Sequence, residues 1–293
     1  MSSTATAESR TQSLIEALPY IQKFRGKTFV IKYGGAAMDE DLAVERLLRD
    51  IVFLEAVGIN PVLVHGGGKA ITARMREAGL PARFVNGLRV TDAATIGIVE
   101  STLDGEVNPR LVAAIERFGG RALGLSGRQV FVATRLPLQR DGEGEEIDIG
   151  YVGEAAGISA DAVRQAIHGE IVPVISPVGA TADGTPLNIN ADLAAAALAA
   201  ELRATKLIYL SDVAGIMRDP SVPDSLIPAV SAAGIEMLVT EKIIAGGMIP
   251  KVQSAVSALQ KGVEKIHFIG GTTPHALLLE IFTDAGVGTE IVL

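Results

Sequence analysis

Residues 27–69 read KTFVIKYGGAAMDEDLAVERLLRDIVFLEAVGINPVLVHGGGK, and this stretch decides the fold. Two short apolar runs rich in β-branched residues, KTFVIKY at 27–33 and PVLVH at 61–65, flank a segment with helical periodicity at 39–57. β-Branched side chains pack well on a pleated surface, whereas apolar residues recurring three and four apart mark one face of a helix. The helix is expected to open at Asp39 with acids in its first turn and to end before Gly58. It turns Leu47, Leu48, Ile51, Val52 and Leu54 toward a core. Strand, glycine turn, helix and strand together make a βα unit of a largely parallel sheet covered on both faces.

The same alternation recurs outward from this unit. Further strands are expected at 121–125, 129–134, 171–175 (IVPVI), 206–211 (KLIYLS) and 265–269, so the fold class is α/β. No tandem repeat or long linker interrupts the chain, and two lobes joined through packed elements are expected, with a boundary near 185–205. The Ala-rich helix ADLAAAALAAEL at 191–202 would lie at that junction, its small side chains allowing close packing. Segment 135–150 is polar, Gly-rich and acidic and reads as a hairpin tip or mobile loop without chemistry. Residues 11–24 carry an apolar stripe at helical spacing, with a bend expected at Pro19.

Composition narrows the function. A chain of 293 residues that is 48% apolar can bury a sizeable core, and the lack of any cysteine removes disulfides, thiolate metal sites and a thiol nucleophile. No run approaches the roughly 20 apolar residues needed to cross a bilayer, and MSSTATAESRTQS has no apolar signal core, so a soluble cytoplasmic protein without a membrane partner is expected. A formal charge of −8 argues against nucleic acid as a partner, while leaving room for a small anion bound by a few local cations and N–H groups.

Common nucleotide and hydrolase signatures fail. HGGGK at 65–69 has Leu63 and Ala70 where a P-loop needs Gly and Ser or Thr, and no G-x-G-x-x-G follows a strand. GLSGR at 124–128 lacks the second glycine of a nucleophile elbow, and His65, His168, His267 and His275 have no metal-ligand spacing, so no resident metal is expected.

What remains is a set of glycines and lysines at the carboxyl ends of strands, where open α/β sheets bind ligands. In KYGG, Lys32 ends a strand and Gly34 and Gly35 free the backbone to aim N–H groups at an anion. HGGGK places Gly67 and Gly68 before a helix whose dipole adds to the same effect. Each motif alone could be a tight strand-to-helix turn. GGMIPK at 246–251 delivers Lys251 just before the helix KVQSAVSALQ, and LNINAD at 187–192 gathers Asn188, Asn190 and Asp192 at a helix mouth. Asp192 could complement that helix dipole or hold cationic side chains, and Asp212 in SDVAG ends a further strand, where a turn alone could account for it. Attack of a carboxylate on ATP joins two anions and needs alignment and charge cancellation rather than a base. Two lysines, glycine N–H donors, Mg²⁺ and an acid that orients the lysines suffice for it.

KYGGAAM, VHGGG, NGLRVT, GLSGR, VGE, IPVISP, NINAD, LSDVAGI, GGMIPKV and PHALLLEIFTDAGVGT, in this order, resemble the motif series of acetylglutamate kinases in the amino acid kinase superfamily. The resemblance implies an αβα sandwich with a mostly parallel central sheet and two lobes: 26–200 for N-acetyl-L-glutamate and 201–293 for ATP. Lys32 and Lys251 would then stabilise the transferring phosphoryl group, with Asp192 orienting both. Gly35, Gly67 and Gly68 would donate to phosphoryl and substrate oxygens, with Gly34 in the same turn. Arg89 and Asn188 would grip the acetylglutamate, and Asp212 would sit on the nucleotide side. Lys69 stands where many relatives have proline and is expected to point to solvent.

By the same resemblance, residues 1–25 match the bent helix that interlaces dimers into the hexamer of arginine-inhibited members. Tyr20, Lys206, His267, Glu280 and Gly286 match positions lining their L-arginine site. Some members also bind a PII-type signalling protein. Related readings stay open: a superfamily kinase acting on another acceptor such as acetylaminoadipate, or a non-catalytic arginine-binding regulatory module.

Overall fold

The computed structural model describes residues 3–38, 40–140, 144–219, 221–284 and 286–293. Twelve strands carry the architecture. They are β1 (Thr28–Tyr33), β2 (Asn60–His65), β3 (Ala122–Leu125), β4 (Phe131–Arg135), β5 (Val152–Ile158), β6 (Val172–Ile175), β7 (Val178–Ala180), β8 (Pro186–Ile189), β9 (Lys206–Ser211), β10 (Ala229–Ser231), β11 (Lys265–Gly270) and β12 (Thr289–Val292). Eight of them form one sheet in the order β10-β12-β11-β9-β1-β2-β6-β3, parallel throughout except where β12 meets β11. The other four, β4, β5, β7 and β8, close into a small barrel.

Every residue of β9 and all but the first of β1 and β2 are buried, as expected of strands covered on both faces. Alternation along β1 divides the core: Val30 faces one apolar cluster, and Phe29, Ile31 and Tyr33 face the other. The first cluster is closed by α7 (Ala191–Glu201) and α9 (Met248–Gln260). The second is closed by α2 (Asp41–Ala56), α5 (Asn108–Arg117) and α10 (Ala276–Phe282). This is a three-layer αβα arrangement around a mostly parallel sheet, as the sequence patterning implied.

Leu47, Leu48, Ile51 and Leu54 of α2 are buried and Val52 is half-buried, with the chain turning at Gly58 through a φ of +83°. The expected opening at Asp39 lies outside the described residues; α2 is assigned from Asp41. Helix α1 (Ser3–Phe24) begins eight residues before the expected 11 and runs on through Pro19. Leu14, Ile15 and Leu18 on it are 67%, 59% and 45% exposed. Strand 129–134 is displaced to β4 because Gly127–Gln129 forms a 3₁₀ turn first. Within 135–150, Gln139–Arg140 pairs with Glu146–Ile147, a hairpin as expected. Among the described residues no helix is long and apolar enough to cross a membrane.

Candidate active site

Lys32 leaves the carboxyl end of β1, and its ammonium nitrogen lies 2.8 Å from Asp192 Oδ1. Both residues are buried, at 7% and 8% exposure. Asp192 is in the first turn of α7, but the cap is Asn190, whose Oδ1 accepts from the N–H groups of Asp192 and Leu193 at 2.8 and 3.3 Å. With capping done by Asn190, the Asp192 carboxylate is free to turn toward the lysines. Its second oxygen is 4.0 Å from Lys251 Nζ.

Lys251 sits on α9, which starts at Met248 and not at Lys251 as expected; Pro250 is tolerated there because first-turn N–H groups have no partner to lose. The backbone beneath is fixed by Ser254 Oγ, which donates to the Lys251 carbonyl at 2.8 Å and lies 3.2 Å from the hydroxyl of the buried Tyr209. Burial pushes the Tyr209 phenol pKa well up, so it stays neutral beside the charges. Tyr209 and Ser254 carry no sequence signal, since both sit within apolar patterns of β9 and α9.

The glycines surround this charge cluster. A Cβ at Gly34 would stand 2.8 Å from Lys32 Nζ, so only glycine lets the ammonium lie against the turn. Gly35 adopts a φ of +77°. In the second turn a Cβ on Gly67 would meet Leu103 at 2.4 Å. Leu103 opens a π turn, Leu103–Val107, that joins α4 (Ala93–Thr102) to α5. Such turns are common at functional sites, and the apparently continuous helical pattern conceals this one.

A cavity of about 670 Å³ is lined by Gly35, Gly67, Gly68, Arg89 and Glu106 among others. Lys69 is exposed, as expected, at a place where it also borders this cavity. Arg89 is buried, and burial pulls its pKa down. Its Nη2 donates to the Gly68 carbonyl and to Thr72 Oγ1, both at 2.8 Å. Asn188 is outside the lining and reaches Arg89 indirectly: its Nδ2 donates to Thr91 Oγ1 at 3.2 Å, and that hydroxyl donates to the Arg89 carbonyl at 2.8 Å. A second cavity of about 330 Å³ is lined by Asp212 and Lys251 with Gly215, Met217 and Met248. Lys251 thus lines the second cavity, while Lys32 lies against the turn of Gly34 and Gly35, of which Gly35 lines the first. Among the described residues no group of three or more His, Cys, Asp or Glu side chains is arranged to hold a metal ion.

A separate buried cluster gathers Lys206, His267 and Glu280. Lys206 Nζ donates to His267 Nε2 at 2.7 Å, which leaves the imidazole hydrogen on Nδ1 to donate to Glu280 Oε1 at 2.6 Å. Burial lowers the Lys206 pKa to about 8 and also lowers that of His267. For Glu280 burial acts upward, but donation from His267 and from the Val287 N–H outweighs it and holds the carboxyl low. Gly286, with φ +61°, passes so close that a Cβ there would be 3.0 Å from the Glu280 carboxylate. Tyr20 is hydrogen-bonded to Asp284, a residue that sequence reasoning missed.

Residues 27–270 match the model of the amino acid kinase family. The chain is 53% identical to the acetylglutamate kinase of Akkermansia muciniphila, over 95% of this chain and 94% of that one. It is 48% identical to the acetylglutamate kinase of Heliobacterium modesticaldum, over 95% and 96% of the two chains. Among solved structures it resembles N-acetylglutamate synthase from Neisseria gonorrhoeae. The complex with coenzyme A and N-acetyl-glutamate is 29% identical with TM-score 0.84, and the complex with coenzyme A and L-arginine is 27% identical with TM-score 0.80. The likeness covers 97% and 96% of this chain, which spans only 63% and 65% of those synthase chains. With the family model covering most of its length and near-full-length relatives at about half identity, the chain belongs to the amino acid kinase family and, within it, to the acetylglutamate kinases.

Proposed function

We propose that this enzyme transfers the γ-phosphoryl group of ATP to the side-chain carboxylate of N-acetyl-L-glutamate, a step of arginine biosynthesis. The observation that carries the reading is Asp192 holding two lysines, Lys32 against the glycine turn beside the larger cavity and Lys251 in the lining of the smaller one. The acceptor lies in the larger cavity within residues 26–200, its α-carboxylate on Arg89 and its surroundings shaped by Asn188. The nucleotide lies in the smaller cavity within 201–293, near Asp212. The acceptor carboxylate is ionised at neutral pH and attacks without a base; its oxygen bonds to phosphorus as the bond to the β–γ bridging oxygen breaks and ADP leaves. Lys32 and Lys251 cancel charge on the phosphoryl oxygens, and Gly35, Gly67 and Gly68 supply backbone donors, each such group contributing on the order of 3 kcal/mol. Mg²⁺ would enter as part of the nucleotide substrate and would supply neutralisation of its phosphate charge.

We further infer feedback inhibition by L-arginine at the cluster of Lys206, His267, Glu280 and Gly286, with Tyr20 above it. Glu280 offers a carboxylate suited to a guanidinium, and the related gonococcal synthase has been solved with L-arginine. The exposed Leu14, Ile15 and Leu18 on α1 support assembly of dimers into a hexamer through this helix. Mg²⁺-dependent ADP release is to be measured against a panel of acceptors, with and without millimolar arginine. Turnover is expected with N-acetylglutamate and inhibition with arginine; no turnover with that acceptor would sink the main claim.

A further inference from the structure

His65 ends β2 directly before the glycine turn and is completely buried, yet no step of the proposed transfer uses it. Its ring is held from both sides. Nδ1 lies 2.7 Å from the Gly66 carbonyl oxygen, and since a carbonyl only accepts, Nδ1 carries the hydrogen. Nε2 then accepts from Asn108 Nδ2 at 3.2 Å, while the same amide donates to the Val174 carbonyl at 2.8 Å. Gly124 makes room for Asn108, because a Cβ there would stand 2.3 Å from Asn108 Oδ1. Burial lowers the imidazole pKa to about 4, so this tautomer is uncharged at neutral pH.

The consequence follows from peptide geometry. The carbonyl of Gly66 and the N–H of Gly67 belong to one planar trans unit and point in opposite directions. Pinning the carbonyl therefore aims the Gly67 N–H away from the ring. The Gly66 N–H is already spent on the Tyr33 carbonyl at 2.6 Å, which locks the two glycine turns together. Gly67 caps α3 (Gly68–Glu77) without any side-chain bond, and Gly67 and Gly68 both line the substrate cavity. Arg89 pins the next carbonyl but one, that of Gly68.

We propose that His65 is a positioning residue for phosphoryl transfer, its Nδ1–H fixing the Gly66–Gly67 peptide plane so that the Gly67 N–H points into the substrate cavity. The inference rests on the transfer reading above. It separates the two ring nitrogens, because Asn places an amide N–H where Nδ1 stands, whereas Gln reaches toward Nε2 and leaves the Gly66 carbonyl without its donor.

Three variants test it in the full-length enzyme, by steady-state kinetics with N-acetylglutamate and MgATP and by thermal melting. His65→Asn is expected to keep kcat within about threefold of the natural enzyme. His65→Gln and His65→Leu are expected to lower kcat by roughly 10- to 100-fold, with the ATP KM changed less than about threefold, as for a misaligned donor. The Leu side chain suits a buried site and provides a donor-free variant if Gln does not fold. A donor-free variant with the kcat of the Asn variant, whether both are high or both low, would overturn the proposal. Absence of turnover in the natural enzyme would instead reject the transfer reading itself.

Discussion

Asp192 and Lys32 form a 2.8 Å ion pair between the mouth of α7 and the carboxyl end of β1, buried on both sides. Removing one partner of such a pair leaves an uncompensated charge in the interior. Asp192→Asn keeps the volume and removes the charge. It is expected to cost roughly 3 kcal/mol in urea unfolding and to lower kcat on the order of 100-fold, because both lysines lose their orienting carboxylate. A variant with unchanged stability and turnover would show that the pair holds nothing in place.

Lys251 is more exposed and lies 4.0 Å from the same carboxylate. Lys251→Ala is therefore expected to leave the melting temperature nearly unchanged while lowering kcat by roughly 100- to 1,000-fold, with much smaller effects on either KM. Steady-state kinetics decides this, and a large rise in KM with normal kcat would make the residue a binding group only.

Glu280 accepts from His267 and from two backbone N–H groups, those of Val287 and Gly288. Glu280→Gln retains an acceptor for the backbone but no charge for a guanidinium. The arginine concentration giving half inhibition is expected to rise at least tenfold, roughly the worth of one charge-assisted pair. An unchanged inhibition curve would place the arginine site elsewhere.

The buried His65 gives a pH signature. Its folded pKa is near 4, below the ordinary value of about 6.5, so the unfolded chain takes up the proton first as pH falls. The folded state keeps its full stability above about pH 6.5 and loses some as pH drops toward 4. His65→Asn lacks this titration. The stability advantage of the natural enzyme over the variant is expected to shrink by roughly 3 kcal/mol between pH 7 and pH 4. Parallel pH curves in urea unfolding would contradict a buried neutral imidazole.

Legibility in the sequence was uneven for physical reasons. Lys32 stood out as a charge beside glycines at a strand end, while Asp192 and Lys251, each with an ordinary use at a helix start, gained weight only in company with it, and the sheet was readable because fully buried strands leave apolar runs. The grouping of Lys206, His267 and Glu280 came only from the resemblance to a family, since successive members are 61 and 13 positions apart and each alone looks like a solvated or core polar group. The start of α9 was misplaced by Pro250, which breaks helices in their interior but not in their first turn. The work of His65 was hidden because it depends on which way one peptide plane faces, and no spacing of residue types encodes that.

Strand β9 carries Lys206 at its amino end and Ser211 at its carboxyl end, next to Asp212, with β1 and β11 bonded along its two sides. Such a strand is a strut roughly 17 Å long that cannot stretch. Pressure on Lys206 can reach Asp212 only as a tilt of the whole strut, and twist is the soft coordinate of the sheet that holds it. The two ends of β9 thus belong to one element that can tilt but not lengthen.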